Sequence, residues 1–192
     1  MKYFTADWHI NEISASNTHT YLRPKDFNLG LPSNLVWPEF QPEDEFYFLG
    51  DMAVDLAGLE FGCKWVAENV PCKKIFVLGD KETANKNFTL QEAKDIIYEY
   101  FDDWSTDDSV VIDGSRFALV HKPIDMKDVS EFSGIVGHIH GVARVLKTKS
   151  NNALVNVGID AWCFQIVPET WIQHQITAVT KGYYDENCFI TF

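Results

Sequence analysis

Short apolar runs that stop abruptly at a polar residue dominate the first half of the chain. Three such runs, at residues 3–6, 45–49 and 74–78, are rich in aromatic or β-branched side chains. Their length and composition are typical of buried strands. Each run is followed, at once or after one glycine, by a carboxylate. The three carboxylates are Asp7, Asp51 and Asp80.

Longer segments with a helical period separate these runs. Apolar side chains form one stripe over residues 56–70, which predicts a helix that crosses over between two parallel strands. A second helix is predicted to begin after Thr89, with Glu92 completing a capping box, and to continue to Tyr100. Helices between parallel strands predict an α/β protein.

The second half of the chain reads mainly as strands. Two apolar runs flank the turn Asp113-Gly114 and predict a hairpin whose second strand leads straight into His121. Two further strands are predicted over residues 133–137 and 153–157, and a late helix is predicted from Pro168. No linker or internal repeat interrupts the pattern, so we expect a single domain over residues 1–192.

Composition narrows the possible partners and the location. The formal net charge of −12 disfavours broad electrostatic binding to nucleic acid or anionic lipid. No run is long enough for a membrane span, and the first residues do not resemble a signal peptide. The four cysteines are scattered without a CxxC pair. We therefore expect a cytoplasmic protein with reduced thiols and no membrane partner.

Seven Asp and His side chains lie at or just beyond the predicted strand ends. In an open α/β sheet the carboxyl ends of the strands form the crevice that binds ligands, so these side chains should converge. Imidazole mixed with carboxylate suits borderline divalent metals, and seven ligands suit two ions that share a bridge better than one. Asp51, central among the motifs, is the natural bridge. The seven residues are Asp7, His9, Asp51, Asp80, His121, His138 and His140.

Each motif taken alone has an ordinary structural interpretation. An Asp-x-His triplet often caps a turn, and Gly-Asp after a strand is common turn chemistry. The segment from Gly137 to His140 is more specific because, in extended geometry, its two imidazoles would share one face. The ordered set of motifs is more specific than any member.

That ordered set resembles the five sequence blocks of the calcineurin-like metallophosphoesterase family, over residues 3 to about 160. Arg23-Pro24 and residues 156–160 are also similar to small single-domain bacterial and phage members. The resemblance implies a four-layer α-β-β-α sandwich of two mixed β-sheets flanked by helices, with the metals at the sheet edge. The blocks here are Asp7-Trp8-His9, Gly50-Asp51, Gly79-Asp80-Lys81-Glu82, His121 and Gly137-His138-Ile139-His140.

The same resemblance implies a division of the ligands and a reaction. A hydroxide bridging the two ions would attack the phosphorus of a small phosphomonoester or phosphodiester, with a nucleotide as one candidate. Mn is the favoured ion, and Fe, Zn, Ni and Mg remain alternatives. One ion would be held by Asp7, His9, Asp51 and His140, and the other by Asp51, Asp80, His121 and His138.

The third block departs from the family at two positions. Asp80 replaces an asparagine, and Lys81 replaces the histidine that usually serves as general acid or transition-state donor. An ammonium can stabilise phosphate charge but donates a proton poorly. Glu82 occupies the place of the orienting carboxylate and is a candidate partner for Lys81. Lys81 and Glu82 are therefore the expected catalytic pair.

Two residues of the loop after the first strand are candidates for substrate contacts. Arg23 could bind a non-bridging phosphate oxygen through its planar guanidinium. His19 is a candidate replacement acid, although an exposed loop histidine is the simpler interpretation. The departure at Lys81 leaves three alternatives open: esters with good leaving groups, a different acid, or a catalytically weakened metal-binding module that sequesters a nucleotide or binds a partner protein.

Overall fold

The computed structural model describes residues 1–12, 35–125, 132–148 and 150–183. Four α-helices lie within these residues: α1 (Leu56–Asn69), α2 (Asp80–Thr83), α3 (Leu90–Tyr100) and α4 (Glu169–Thr180). The described strands are β1 (Lys2–Thr5), β2 (Glu45–Phe48), β3 (Lys73–Val77), β4 (Asp103–Ser105), β5 (Asp107–Ile112), β6 (Ser115–Val120), β7 (Gly134–Val136), β8 (Val145–Lys147), β9 (Ala153–Asn156) and β10 (Val167–Pro168).

The first sheet has the strand order β10-β1-β2-β3-β4, and only β10 runs antiparallel to its neighbour. Its register aligns the strand ends, since Thr5 pairs with Phe48 and Phe48 pairs with Phe76. The loops that leave β1, β2 and β3 therefore start at one edge of the sheet. These loops carry Asp7 and Asp51, and α2 begins at Asp80.

The second sheet has the order β5-β6-β7-β9-β8, with parallel pairing only from β6 to β7 and from β7 to β9. Val120, Val136 and Asn156 pair at the same level. The chain leaves this level toward the first sheet, where Ala6 and Gly158 form an isolated parallel bridge. The carboxyl ends of both sets of parallel strands consequently face one seam between the sheets.

Three apolar clusters hold these layers together. The inner faces of the two sheets share a cluster that includes Phe4, Val77 and Ile135. A second cluster joins the outer face of the first sheet to α1 and α3, and a smaller one covers part of the outer face of the second sheet. Helix α4 adds Ile172 and Val179 to the inner cluster. The predicted α/β fold class, with two mixed sheets in a sandwich, is confirmed.

Most predicted elements occur close to their expected bounds. Thr89 is the N-cap of α3 and forms the predicted capping box with Glu92, and the hairpin turns at Asp113-Gly114. Pro168 is the N-cap residue of α4. The strands β4, β8 and β10 were not predicted, because two or three residues are too few to show a period.

Two observations on the described residues bear on the composition argument. Within the described ranges, no helix has both the length and the apolar character that crossing a bilayer requires. Cys63, Cys72 and Cys163 are free thiols. Cys188, His19 and Arg23 lie outside the described residues.

Candidate metal centre

The loops at the seam hold most of the predicted ligands in an unusual backbone conformation. Five of the seven predicted ligands have a positive φ, between 47° and 68°. Residues other than glycine adopt this left-handed backbone conformation at an energetic cost, and such residues concentrate at functional sites. The five residues are Asp7, His9, Asp51, His138 and His140.

The expected extended geometry of residues 137–140 is wrong. His138 and His140 have φ values of 68° and 47°, and a 3-10 turn begins at His140. The turn directs the two imidazoles to different places instead of one face. His140 joins Asp7 and His9, whereas His138 joins a second group with Asp51 and His121.

Each of these two groups brings three potential ligand atoms within 4.8 Å of one another. The first group, Asp7 with His9 and His140, is buried, and in the second only His138 is exposed. Both groups draw residues from both sheets. Groups of this composition can hold divalent metal ions.

Asp51 faces both groups through its two carboxylate oxygens. Its Oδ2 lies 3.5 Å from Nε2 of His9, and its Oδ1 lies 3.3 Å from Nε2 of His121. Asp7 is close as well, with Oδ1 3.7 Å from Nε2 of His9 and 3.9 Å from Nε2 of His121. Nε2 of His9 and Nε2 of His121 therefore both lie close to the carboxylates of Asp7 and Asp51, where the two groups meet.

The Nε2 atom of His121 tests whether the residues fit a metal. It is buried and has no hydrogen-bond partner among the described residues, although Oδ1 of Asp51 is only 3.3 Å away. Two ligands bound at ~2.1 Å to one ion lie ~3.0–3.4 Å apart for right-angled to tetrahedral arrangements. The spacing and the lack of hydrogen-bond alignment both suit a shared cation.

The far nitrogen of three imidazoles is fixed by a group behind it. Nδ1 of His121 donates to the carbonyl oxygen of Leu49 at 2.7 Å, and Nδ1 of His140 lies 2.9 Å from Oδ2 of Asp160. His9 uses Nδ1 to contact the carboxylate of Glu12. Such contacts fix the ring orientation of metal-binding histidines and raise their basicity. Nε2 of each ring is thereby left to face the seam.

Asn156 ties the histidine loop to the neighbouring strand end. Its Nδ2 donates to the carbonyl oxygens of His140 and Ala143, at 2.6 and 2.7 Å, and its Oδ1 accepts the N–H of Gly158 at 2.9 Å. The carboxylate of Asp7 accepts the N–H of His138 at 2.9 Å. These bonds hold the loop in its strained conformation.

Asp80 lies beside the second group rather than within it. Its Oδ1 is 2.6 Å from Nζ of Lys122, and its Oδ2 is 3.5 Å from Nδ1 of His138. The ion pair draws one oxygen toward Lys122, and neither three-residue group includes Asp80. Sequence reasoning did not select Lys122, although its position next to His121 places it at the same strand end.

Lys81 is held by Glu12 and not by Glu82. Nζ of Lys81 donates to Oε1 of Glu12 at 3.1 Å, and its main-chain N–H donates to Oδ1 of Asp51 at 2.8 Å. Burial alone would raise the pKa of Glu12, but His9 and Lys81 together lower it to about 2. The expected pairing of Lys81 with Glu82 is wrong, because α2 turns the two side chains to different neighbours.

Glu82 is buried and orients the loop that carries Asp51. Its carboxylate accepts three backbone N–H groups at 2.9 Å, from Asp51, Met52 and Gly79. Burial and the charge of Asp51 raise the pKa of Glu82 to about 7 against the effect of these three donors. An added Cβ at Gly79 would lie 2.5 Å from Oδ1 of Asp51, so only glycine fits there. Glu82 therefore contacts the backbone of the Asp51 loop, and its catalytic role stays a prediction.

The carboxylates make the seam strongly favourable for positive charge. Burial lowers the pKa of His9, but its contacts with Asp7 and Glu12 and the charge of Asp51 raise it to about 9. The pKa of His121 is likewise lowered by burial and raised to about 10 by Asp51 and Asp7. Burial acts to raise the pKa of Asp51, yet its histidine neighbours bring it below its ordinary value.

A cavity of about 900 Å³ opens onto the seam. Its lining includes the candidate ligands His9, Asp51 and His138 and also three lysines. The lysines are Lys81, Lys86 and Lys122. Trp8 and Trp162 do not line this cavity, since both are buried in the apolar clusters.

Comparisons with known proteins support the fold of the chain and do not identify its reaction. No protein-family model matches the chain, and no curated protein matches it significantly. The solved structure of a novel archaeal phosphodiesterase is similar over 82% of each chain at 17% identity, with a TM-score of 0.47. A protein of unknown function from Aquifex aeolicus is similar over 92% of this chain and 99% of its own, at 20% identity and a TM-score of 0.67. The chain therefore shares its overall fold with the Aquifex protein.

Proposed function

We propose that the protein is a metal-dependent phosphoesterase that hydrolyses a small phosphomonoester or phosphodiester, a nucleotide being one candidate. The observation that carries this proposal is the position of Asp51, whose two oxygens face His9 on one side and His121 on the other. A carboxylate so placed can bridge two divalent ions, and Mn is the ion we favour.

The two groups divide naturally between two ions. Asp7, His9 and His140 would hold one, and His121 and His138 would hold the other, with Asp51 shared. Asp80 lies at the edge of the second site, where its contact with Lys122 competes for one of its oxygens. Two bound divalent ions supply Lewis acidity to phosphate oxygens and lower the pKa of water.

The protein's own residues position the charges around such a centre. Glu12 contacts both Nδ1 of His9 and Nζ of Lys81, so it orients a candidate ligand and a candidate substrate contact together. The ammonium of Lys81 lines the cavity and can stabilise the negative charge that develops on phosphate. Glu82 keeps the Asp51 loop fixed through its three backbone bonds.

A second candidate function follows from the ion pair between Lys81 and Glu12. Nζ of Lys81 donates to Glu12, and an ammonium is in general a weaker acid than the imidazolium that the family carries at this position. This favours either esters with good leaving groups or the weakened metal-binding module that sequesters a nucleotide or binds a partner protein. The rate for a series of aryl phosphodiesters of increasing leaving-group pKa separates these alternatives.

The central test is the substitution Asp51→Asn. The control is Asp95→Asn, since Asp95 is an exposed residue of α3. We expect wild-type protein and the control to bind two Mn ions per chain and to hydrolyse bis(p-nitrophenyl) phosphate. Asp51→Asn should lose bound metal and at least about 100-fold in turnover, because it removes charge from both sites. Elemental analysis and the chromogenic assay measure the two effects.

Full Mn-dependent turnover by Asp51→Asn would refute the shared-ligand proposal. If the wild-type protein binds two ions but hydrolyses none of the aryl phosphodiesters, the result would favour the metal-binding module. In that case Lys81→His, which restores the family's donor, should produce turnover if the missing acid alone limits the rate.

A further inference from the structure

Lys86 differs from the other two cavity lysines in its neighbours. Lys122 is paired with Asp80 at 2.6 Å, and Lys81 is paired with Glu12 at 3.1 Å. Among the residues that the structure describes, no carboxylate lies within ion-pair distance of Lys86. Lys86 is therefore the cavity lysine whose charge is not already balanced by a neighbour.

The loop that carries Lys86 is anchored on both sides. Nδ2 of Asn85 and Nδ2 of Asn87 both donate to the carbonyl oxygen of Val54, at 3.2 and 3.1 Å. The N–H of Asn87 also donates to Oδ1 of Asn85 at 2.9 Å, and Phe88 is buried in the core. The backbone of Lys86 is thus fixed while its side chain lines the cavity.

The size and charge of the cavity indicate which class of ligand Lys86 would contact. A volume of about 900 Å³ lies within the range of sites for nucleotide-sized ligands and exceeds the need of one phosphate. The chain carries a net charge of −12, so an unbalanced cation in a cavity contrasts with the general surface. Such a charge favours ligands with a second anionic group in addition to the one taken to bind at the seam.

We infer that Lys86 is a specificity-determining residue that binds a second phosphate group of the substrate, which is a nucleotide-sized organic compound with two phosphate groups. This inference rests on the proposed function, since the first phosphate is taken to bind at the candidate metal centre. Lys86 contributes to binding and not to the chemical step.

The test compares two ligands that phosphoesterases do not cleave, propylphosphonate and propane-1,3-diphosphonate. Calorimetric dissociation constants are measured with Mn-loaded wild-type protein, Lys86→Ala, Lys86→Glu and Lys64→Ala. Lys64 is an exposed lysine of α1 that does not line the cavity, and it serves as the matched control. Metal content and hydrolysis of bis(p-nitrophenyl) phosphate are recorded on the same preparations.

We expect wild-type protein to prefer the diphosphonate. Lys86→Ala should weaken diphosphonate binding by about three- to tenfold, with a larger loss in Lys86→Glu, and should leave propylphosphonate binding and metal content unchanged. The preference should shrink as salt is raised, because the contact is exposed to solvent. Lys64→Ala should behave as wild type.

Two outcomes separate the inference from the function on which it rests. If wild-type protein binds two ions and hydrolyses the chromogenic ester but Lys86→Ala binds both phosphonates as wild type does, the inference is overturned and the proposed function stands. If the protein takes up no metal and hydrolyses no ester, the proposed function fails and the inference fails with it.

Discussion

At the scale of single residues, the candidate ligands are oriented by groups that are not themselves candidate ligands. Asp160 and Glu12 each contact the Nδ1 atom of one histidine, and Leu49 offers its carbonyl oxygen to a third. Neither carboxylate was selected from the sequence. Glu12 lies three residues after His9, a spacing that a search for carboxylates near histidines could have found.

Asp160→Asn provides a residue-scale prediction. The substitution keeps the shape of the side chain but removes the charge behind His140, so the affinity of the first site for Mn should fall by about tenfold. At saturating Mn the number of ions per chain should not change. Competition with a metal-sensitive dye measures the affinity, with Asp95→Asn as the control. Unchanged affinity would show that Asp160 does not tune this ligand.

Residue types could be predicted from the sequence more reliably than their contacts. Six of the seven proposed ligands fall into the two compact groups, although their role as ligands stays a prediction. Asp80 is the exception, because its ion pair with Lys122 depends on the relative position of β6 and α2. The partner of Lys81 was predicted wrongly for the same reason, since Glu12 is distant in sequence.

At the scale of elements, the strand ends explain why dispersed residues meet. The register of β1, β2 and β3 aligns their carboxyl ends, and the apolar runs predicted these strands. Register cannot be derived from one strand's pattern, and the crossover through α1 indicated only that β2 and β3 run parallel. The turn at residues 138–140 was not predicted, because its left-handed φ values depend on bonds from Asp7 and Asn156.

The start of β1 gives an element-scale prediction with a pH dependence. The ammonium of Met1 donates to Oδ1 of Asp44 at 2.6 Å, and Oδ2 of Asp44 accepts the N–H of Gln41 at 2.8 Å. Asp44→Asn should lower the unfolding free energy by about 1 kcal/mol near pH 6, because it removes a charged hydrogen bond beside the first sheet. Urea unfolding at several pH values measures the difference from wild type.

The sign of the pH dependence follows from the two pKa shifts. The hydrogen bond to Asp44 raises the pKa of the amino group above its ordinary 8.0, so that contribution is lost as pH rises through the raised value. Burial opposes ionisation of Asp44, but the ammonium and the Gln41 N–H lower its pKa below 3.8, so its contribution is lost as pH falls through the lowered value. The difference between variant and wild type should be largest between about pH 4 and 8. A difference that stays constant across this range and beyond it would contradict the pairing.

At the scale of the whole molecule, the residues of the inner apolar cluster and the candidate ligands at the seam are two separate sets. Ile135 is fully buried in β7 between the two sheets and lies three residues before His138 in the sequence. The single-domain organisation over residues 1–192 and the cytoplasmic location stay predictions. The cavity lysines show that the acidic character of the chain does not extend uniformly to its candidate site.

Ile135→Ala tests this separation. Loss of a buried aliphatic side chain should lower the unfolding free energy by about 2–5 kcal/mol, whereas Val111→Ala at an exposed position of β5 should change it by less than about 1 kcal/mol. Denaturant unfolding measures both variants. The folded fraction of Ile135→Ala should still bind the wild-type number of Mn ions; a matching loss of metal would show that the core and the seam act as one unit.

Both groups of candidate ligands span the two sheets: Asp7 and His9 follow β1 while His140 follows β7, and Asp51 follows β2 while His121 follows β6. A cation held by either group would therefore link the two sheets, which also meet there through the bridge from Ala6 to Gly158 and the hydrogen bond from His121 to Leu49. A chelator that removes the cation should destabilise this end of the molecule first. Backbone amide protons near the candidate metal centre should then exchange with solvent faster than those at the opposite end of the sheets.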